Sequence, residues 1–308
     1  MDGPLKNKLA SLLVAPVLWD CRLAPFTSFA IGGPAEALAR VDQRRELQPL
    51  LGFLAEEKIP WRIIGRGSNL LVRDEGFAGV ILLLGREFKE IIRPEGISSR
   101  TGVIAGGGVS LGRLALSCSD FGLAGLEFAA GIPGTVAGGV VMNAGAWGED
   151  MAGVVQALTL VGADGARRLT AAAGELDFAY RSWPGFAAYS GRAVITEVEL
   201  GLRSDRAEVI TARSRVLAEK RERSQPRARG SAGSFFKNPP GESAGRLIEA
   251  CGLKGLKVGG AMVSERHGNF LVNTGQATAG EVVILMKIVQ EKVKNDQGIL
   301  LEPEVHFL

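Results

Sequence analysis

Apolar positions recur along this chain with two different periods, and their alternation predicts a mixed α+β protein. RRELQPLLGFLAEEKI repeats its apolar residues at helical spacing, whereas PWRIIGRGSNLLV reads as strand, glycine turn and strand. FAGVILLL is a short apolar run ending at Gly85, and TGVIAGGGVSLGRLALSCSDFGL reads as strand, turn and helix. DMAGVVQALTLVGADGARRL predicts two strands joined by a GADG turn, and RAVITEVELGL a further alternating strand. The opening LASLLVAPVLWDC predicts an amphipathic first helix. Pro16 interrupts it and no small-residue cleavage site follows, which argues against a secretory signal.

The pattern changes near Ser204. DRAEVITARSRVLAEKRERSQPRARG is polar and basic, a helix followed by a loop broken at Pro226, and marks a domain boundary. Beyond it, ESAGRLIEACGL puts Ala244, Leu247, Ile248 and Cys251 on one helical face. TAGEVVILMKIVQEKVKNDQG opens with Thr278 and Glu281 at capping-box spacing and closes on Gly298. ILLEPEVHFL predicts a final strand with Val305 and Phe307 on one face and Glu302, Glu304 and His306 on the other, its start or edge marked by Pro303. The expected organisation is residues 1–203 as one domain of two subdomains split near 80, 204–298 as a second domain, and 299–308 as a terminal strand.

Composition narrows the function. Hydrophobic residues make up 46% and charged residues 22% of 308, which suits a globular protein with a substantial core. Glycine, at 42 residues without a repeat, implies tight turns and close backbone approaches. A net charge of +3 suits a small anionic ligand, and with aromatics at only 6% the chain is not built to stack on nucleic acid. Cys21, Cys118 and Cys251 are isolated, as in a reducing compartment, and no apolar run reaches the ~18 residues of a membrane helix.

Several segments could carry chemistry. In IGRGSNLLV, Gly65 and Gly67 let backbone N–H groups converge, with Ser68 and Asn69 adding donors, a nest suited to a pyrophosphate. Leu70 stands where a dinucleotide fingerprint needs its third glycine. Six glycines in AAGIPGTVAGGVVMNAGAWGED make a backbone against which something flat can lie. Pro133 stiffens the turn, and Thr135 and Asn143 supply local hydrogen bonds. The two histidines, His267 and His306, lie far apart with no metal or hydrolase motif around them. GSAGSFFKNPPGES presents Ser231 and Ser234 without a neighbouring base, while the basic run Arg213–Arg229 is a solvated helix face or a diphosphate site.

PFTSFAIGGPAE, GRGSNLLV, GIPGTVAGG, MNAGAWGED, AYR, GSFFKNP, AGRLIEACGLKG, GGAMVSERHGNFLVN, ATAGEV and LEPEV occur in this order from about Leu23 to the end. Together they resemble the UDP-N-acetylenolpyruvoylglucosamine reductase family, in its compact branch. Ala137, where a glycine is expected, and Trp147, where tyrosine is common, depart from the pattern. The resemblance implies a non-covalent FAD on a vanillyl-alcohol-oxidase-type domain, plus a smaller α+β substrate domain. It implies NADPH as hydride donor, an enolpyruvyl UDP-sugar as substrate, and a cytoplasmic monomer with no nucleic-acid or membrane partner. It assigns Gly65, Gly67, Ser68, Asn69 and Leu70 to the FAD diphosphate. Gly131, Ile132, Pro133, Gly134, Thr135, Gly138, Asn143 and Gly145 would line the flavin. Arg181 and a protonated Glu304 would hold the substrate carboxylate, Ser234 would donate a proton, and Lys237 and Asn238 would bind substrate. Another FAD oxidoreductase of the same superfamily, acting on a hydroxy acid or sugar, is the alternative.

Overall fold

The computed structural model describes residues 1–94, 102–226 and 230–308. Arg227 and Arg229, in the basic run, lie outside the described residues. The chain divides into two compact units. The first comprises Met1–Trp19, Glu36–Gly65 and Gly79–Glu219, and the second Asp20–Ala35, Arg66–Ala78 and Lys220–Leu308.

The first unit holds a five-stranded antiparallel sheet in the order Gly165–Thr170, Val155–Gly162, Ala193–Gly201, Gly102–Gly106, Ile91–Ile92. The GADG turn joins its first two strands as the sequence predicts, pairing Gly162 with Gly165. The helix Leu111–Asp120 begins where Ser110 Oγ accepts the Arg113 N–H, and turns Leu111, Leu114, Ala115 and Cys118 into the core with Val103, Leu158 and Val198. A second core gathers around the helix Arg44–Glu56, whose Leu47, Leu50, Leu51 and Leu54 meet Ala37, Val41, Val80, Leu82 and Trp61. These come from a four-stranded sheet ordered Leu18–Arg22, Pro34–Val41, Phe77–Leu84, Trp61–Ile63, with its last two strands parallel. The opening helix differs from expectation. It spans Gly3–Ser11, with Asp2 as its cap and Pro4 in its first turn, and the chain is extended again from Leu18. Pro16 therefore separates two elements rather than interrupting one.

The second unit folds around Phe235, Phe236, Leu247, Ile248, Val263, Leu271, Val282, Leu285, Val289 and Val293, joined by Phe29, Ile31 and Leu71. Its helices Ala244–Ala250 and Ala279–Gln297 lie beside a three-stranded sheet of Lys257–Val258, Ala261–Val263 and Leu271–Asn273. The final strand is shorter than predicted. Only His306–Phe307 is extended in register, pairing parallel with Leu70–Leu71. Val305 is 4% exposed but Phe307 43%, so the two do not share one buried face. Pro303, which has no N–H to donate, precedes the ladder rather than joining it. Among the described residues no helix is long and apolar enough to cross a membrane.

Candidate active site

In the first unit the two glycine-rich segments meet. A Cβ on Gly65 would lie 2.4 Å from Thr135 Oγ1, so only glycine lets the chain after Ile64 come this close. Thr135 caps the short helix Val136–Val141, its Oγ accepting the Gly138 N–H at 3.3 Å. The N–H groups of Val136 and Ala137 donate to Val109 O (2.8 Å) and Gly107 O (3.0 Å), tying this turn to the GGGV segment. Gly131 turns the preceding loop at φ +77°. Gly131 and Gly138 are exposed, and Ile132, Pro133 and Gly134 half-buried. The surface offered here is backbone and small apolar groups.

Asn143 is buried and its amide is fully engaged. Nδ2 donates to Asp150 Oδ2 at 3.1 Å and to Ala179 O at 3.0 Å, while Oδ1 accepts the Ala152 N–H at 2.9 Å. Gly145 opens the small hairpin that Asp150 closes. Ala179 begins the turn that carries Arg181: its N–H donates to Ser182 O at 2.9 Å, and the Ser182 N–H returns to Ala179 O at 3.2 Å. Arg181 sits at φ +56°, a conformation costing a non-glycine residue on the order of 1 kcal/mol. The Asn143 amide on one end of the turn, and the Trp183 N–H bonded to Val141 O at 2.9 Å on the other, offset that strain. The guanidinium lies 5.1 Å over the Tyr180 ring.

The second unit brings Ser234 and Glu304 together. Gly233, at φ +79°, turns the chain immediately before Ser234, and the buried Phe235 and Phe236 anchor the chain on its other side. The Glu304 N–H donates to Phe235 O at 2.8 Å and the Lys237 N–H to Glu302 O at 2.8 Å, so the serine loop and the terminal segment run alongside each other. Asn69 Nδ2 donates to Glu304 O at 3.1 Å, and the His306 N–H to Asn69 O at 3.0 Å. Gly67, at φ +59°, has no room for a side chain, since a Cβ would lie 2.3 Å from Phe26 O. Ser28 Oγ donates to Ser231 O at 2.6 Å and contacts Gly67 O at 3.3 Å. Ser234 and Glu304 are both half-buried.

Residues 225–308 match the C-terminal domain of UDP-N-acetylenolpyruvoylglucosamine reductase, and 35–170 match an FAD binding domain. A UDP-N-acetylenolpyruvoylglucosamine reductase of Desulfosudis oleivorans is 42% identical over 99% of this chain and 98% of its own length. A second, from Symbiobacterium thermophilum, is 49% identical over 98% and 96%. The chain belongs to the UDP-N-acetylenolpyruvoylglucosamine reductase family. The crystal structure of the Thermus caldophilus enzyme of that name superposes with a TM-score of 0.76 at 36% identity, covering 94% of this chain and 97% of that one. The fold is thus the family's own, and the chain is an FAD-dependent oxidoreductase.

The residues of the FAD-domain match fit the cofactor. A diphosphate and a flat ring need approachable backbone and few large side chains, and the meeting of Gly65 with Thr135 beside exposed Gly131 and Gly138 supplies that. Lys237 Nζ pairs with Glu302 Oε1 at 2.6 Å, and Asn238 Oδ1 accepts the Ala244 N–H at 3.0 Å. Arg213 is engaged at 2.7 Å with both the buried Glu127 and Asp205, and Arg215 lies 3.7 Å from Glu219. At these two positions the basic run serves the helix rather than offering bare charge. Ser28 and Asn269 fall within matching runs, PFTSF and RHGNF, yet neither carries a role legible in the sequence. Both act on backbone distant in the chain, which no local spacing records.

Proposed function

We propose that this protein catalyses the NADPH-dependent reduction of enolpyruvyl-UDP-N-acetylglucosamine to UDP-N-acetylmuramate, a step of peptidoglycan precursor synthesis. The observation that supports it most directly is the backbone bond from the Glu304 N–H to Phe235 O at 2.8 Å, which runs the chain at Glu304 alongside the serine loop. When bound, FAD supplies the hydride, received from NADPH, to the terminal carbon of the enolpyruvyl group. The chain's own residues then have two tasks. Negative charge develops toward the substrate carboxylate, and Arg181 with a protonated Glu304 holds that carboxylate, because stabilising charge that grows in the transition state is usually the largest catalytic contribution. The adjacent carbon requires a proton. Ser234 gives it from its hydroxyl, a weak acid that suffices because an enediolate-like carbanion is a strong base. Gly65, Gly67, Ser68, Asn69 and Leu70 are assigned to the FAD diphosphate. The Gly131–Gly138 segment with Asn143 and Gly145 is assigned to the ring, and Lys237 and Asn238 to the UDP-sugar.

The purified protein should be yellow from non-covalent FAD, bleach with NADPH, and recolour on adding the enolpyruvyl UDP-sugar. Ser234→Ala should leave bleaching nearly intact and slow recolouring severely, on the order of 10²–10⁴-fold, the usual range for a positioned acid. Stopped-flow absorbance of the flavin separates the two phases. Equal losses in both would remove Ser234 from the role of proton donor.

A further inference from the structure

We propose that Asn269 is the positioning residue that sets the proton donor against Glu304, a role that rests on the reading of Ser234 given above. Three consecutive peptide planes come after Ser234, and Asn269 grips every one. The plane joining Ser234 to Phe235 is held by its N–H, which donates to Asn269 O at 2.8 Å. The next is held by the Phe236 N–H donating to Asn269 Oδ1 at 2.9 Å, and the third by Phe236 O accepting from Asn269 Nδ2 at 2.7 Å. Two of these planes are also gripped by the terminal segment. The Glu304 N–H donates to Phe235 O at 2.8 Å, and Glu302 O accepts the Lys237 N–H at 2.8 Å. Asn269 and Glu304 therefore hold opposite ends of one peptide unit, the one between Phe235 and Phe236.

A primary amide is suited to this. It offers one acceptor and one donor in a plane, so a single side chain can bind a residue's N–H and C=O as a neighbouring strand would. Asn269 is only 3% exposed, so water does not substitute for it, and a donor or acceptor left unmatched there is costly. Its own N–H is fixed by donating to His267 Nδ1 at 3.1 Å. On the other side of Ser234 the chain turns at Gly233, φ +79°, so the grip on the following planes fixes the direction in which the chain leaves Ser234. Asn269 touches no reacting atom; it acts through the backbone of Ser234.

The test uses the FAD-loaded enzyme and the two flavin phases. Asn269→Ala should slow the enolpyruvyl phase on the order of 100-fold, the cost of about 1 Å of misplacement, and leave flavin reduction unchanged. In a Ser234→Ala background the same substitution should add little, because no donor remains to misplace. Equal losses in both phases, or losses that multiply in the double variant, overturn the positioning role. If Asn269→Ala does not fold with FAD, Asn269→Asp keeps the shape. Its buried carboxyl regains a donor when protonated, so the enolpyruvyl phase should recover as pH falls, and a loss independent of pH overturns the proposal. A Ser234→Ala enzyme with an unimpaired enolpyruvyl phase overturns the functional reading, and this proposal with it. A severe Ser234→Ala defect beside an additive Asn269→Ala effect overturns the positioning role alone.

Discussion

His267 shows how much can depend on one ring nitrogen. Its Nδ1 accepts the Asn269 N–H at 3.1 Å, and its ring lies edge-on to Phe270 at 5.0 Å. The acceptor role requires Nδ1 to be unprotonated. Burial pushes the imidazole below its ordinary value of 6.5; the nearby Glu249 carboxylate opposes this and Lys254 reinforces it. The unfolded chain therefore binds a proton more readily than the native protein does. Stability should be at its plateau above pH 6.5, fall as pH drops from there toward the lowered native value, and level off below it. His267→Asn places an oxygen where Nδ1 stood and removes the titration. Urea midpoints measured across that window should lose the His267-dependent slope, and an unaltered slope would assign it to another group. The sequence made His267 visible only as a histidine lacking a metal or serine partner. That it accepts a backbone N–H two residues on depends on ring orientation, which composition and spacing do not encode.

At the scale of elements, the helix Ala279–Gln297 was the most legible piece of the chain, and it also shows where legibility ends. Thr278 and Glu281 form the capping box their spacing predicts, and Gly298 closes the helix at φ +71°. Two further N–H groups of the first turn, on Ala279 and Gly280, donate to Asp74 Oδ1 and Oδ2 at 2.9 and 3.0 Å. Asp74 lies far away in sequence, in the RDEG stretch between the runs PWRIIGRGSNLLV and FAGVILLL, where nothing local marks it as a cap. A carboxylate at a helix N-terminus gains from both the bonds and the helix dipole. Asp74→Ala should therefore cost about 1 kcal/mol, and Asp74→Asn a few tenths less, with the urea m-value unchanged. Equal midpoints for the variant and the parent protein would show that solvent caps the helix equally well. The strands divide in the same way. VQALTLVGADGARRL betrayed its hairpin because both strands and the turn are contiguous, whereas the terminal strand was overdrawn because its partner, Leu70–Leu71, lies far earlier in the chain.

For the whole molecule, the decisive fact is that the second unit is assembled from three separate stretches of chain. A linear reading, which looks for a change in composition, sees the polar shift near Ser204 and treats everything after it as a block. It cannot see that Phe29, Ile31 and Leu71, at 0%, 3% and 1% exposure, complete the core formed by Phe235, Val263 and Val289. Burying three such side chains contributes about 5–9 kcal/mol, as large as the entire net stability of many domains, about 5–15 kcal/mol. The same stretches bring polar partners: Ser28 O accepts the Gly230 N–H at 2.6 Å, Asn273 Nδ2 donates to Phe29 O at 3.1 Å, and Asp74 caps the long helix. A fragment of Lys220–Leu308 alone should therefore fail to fold, although it contains the whole of the C-terminal family match, residues 225–308. Its far-UV circular dichroism should lack a cooperative thermal transition, and its amide resonances should show little dispersion. Restoring only the Asp20–Ala35 and Arg66–Ala78 segments, through short linkers, should recover cooperative unfolding. A fragment that melts cooperatively by itself would mean that the residues after Lys220 hold a sufficient core without Phe29, Ile31 and Leu71.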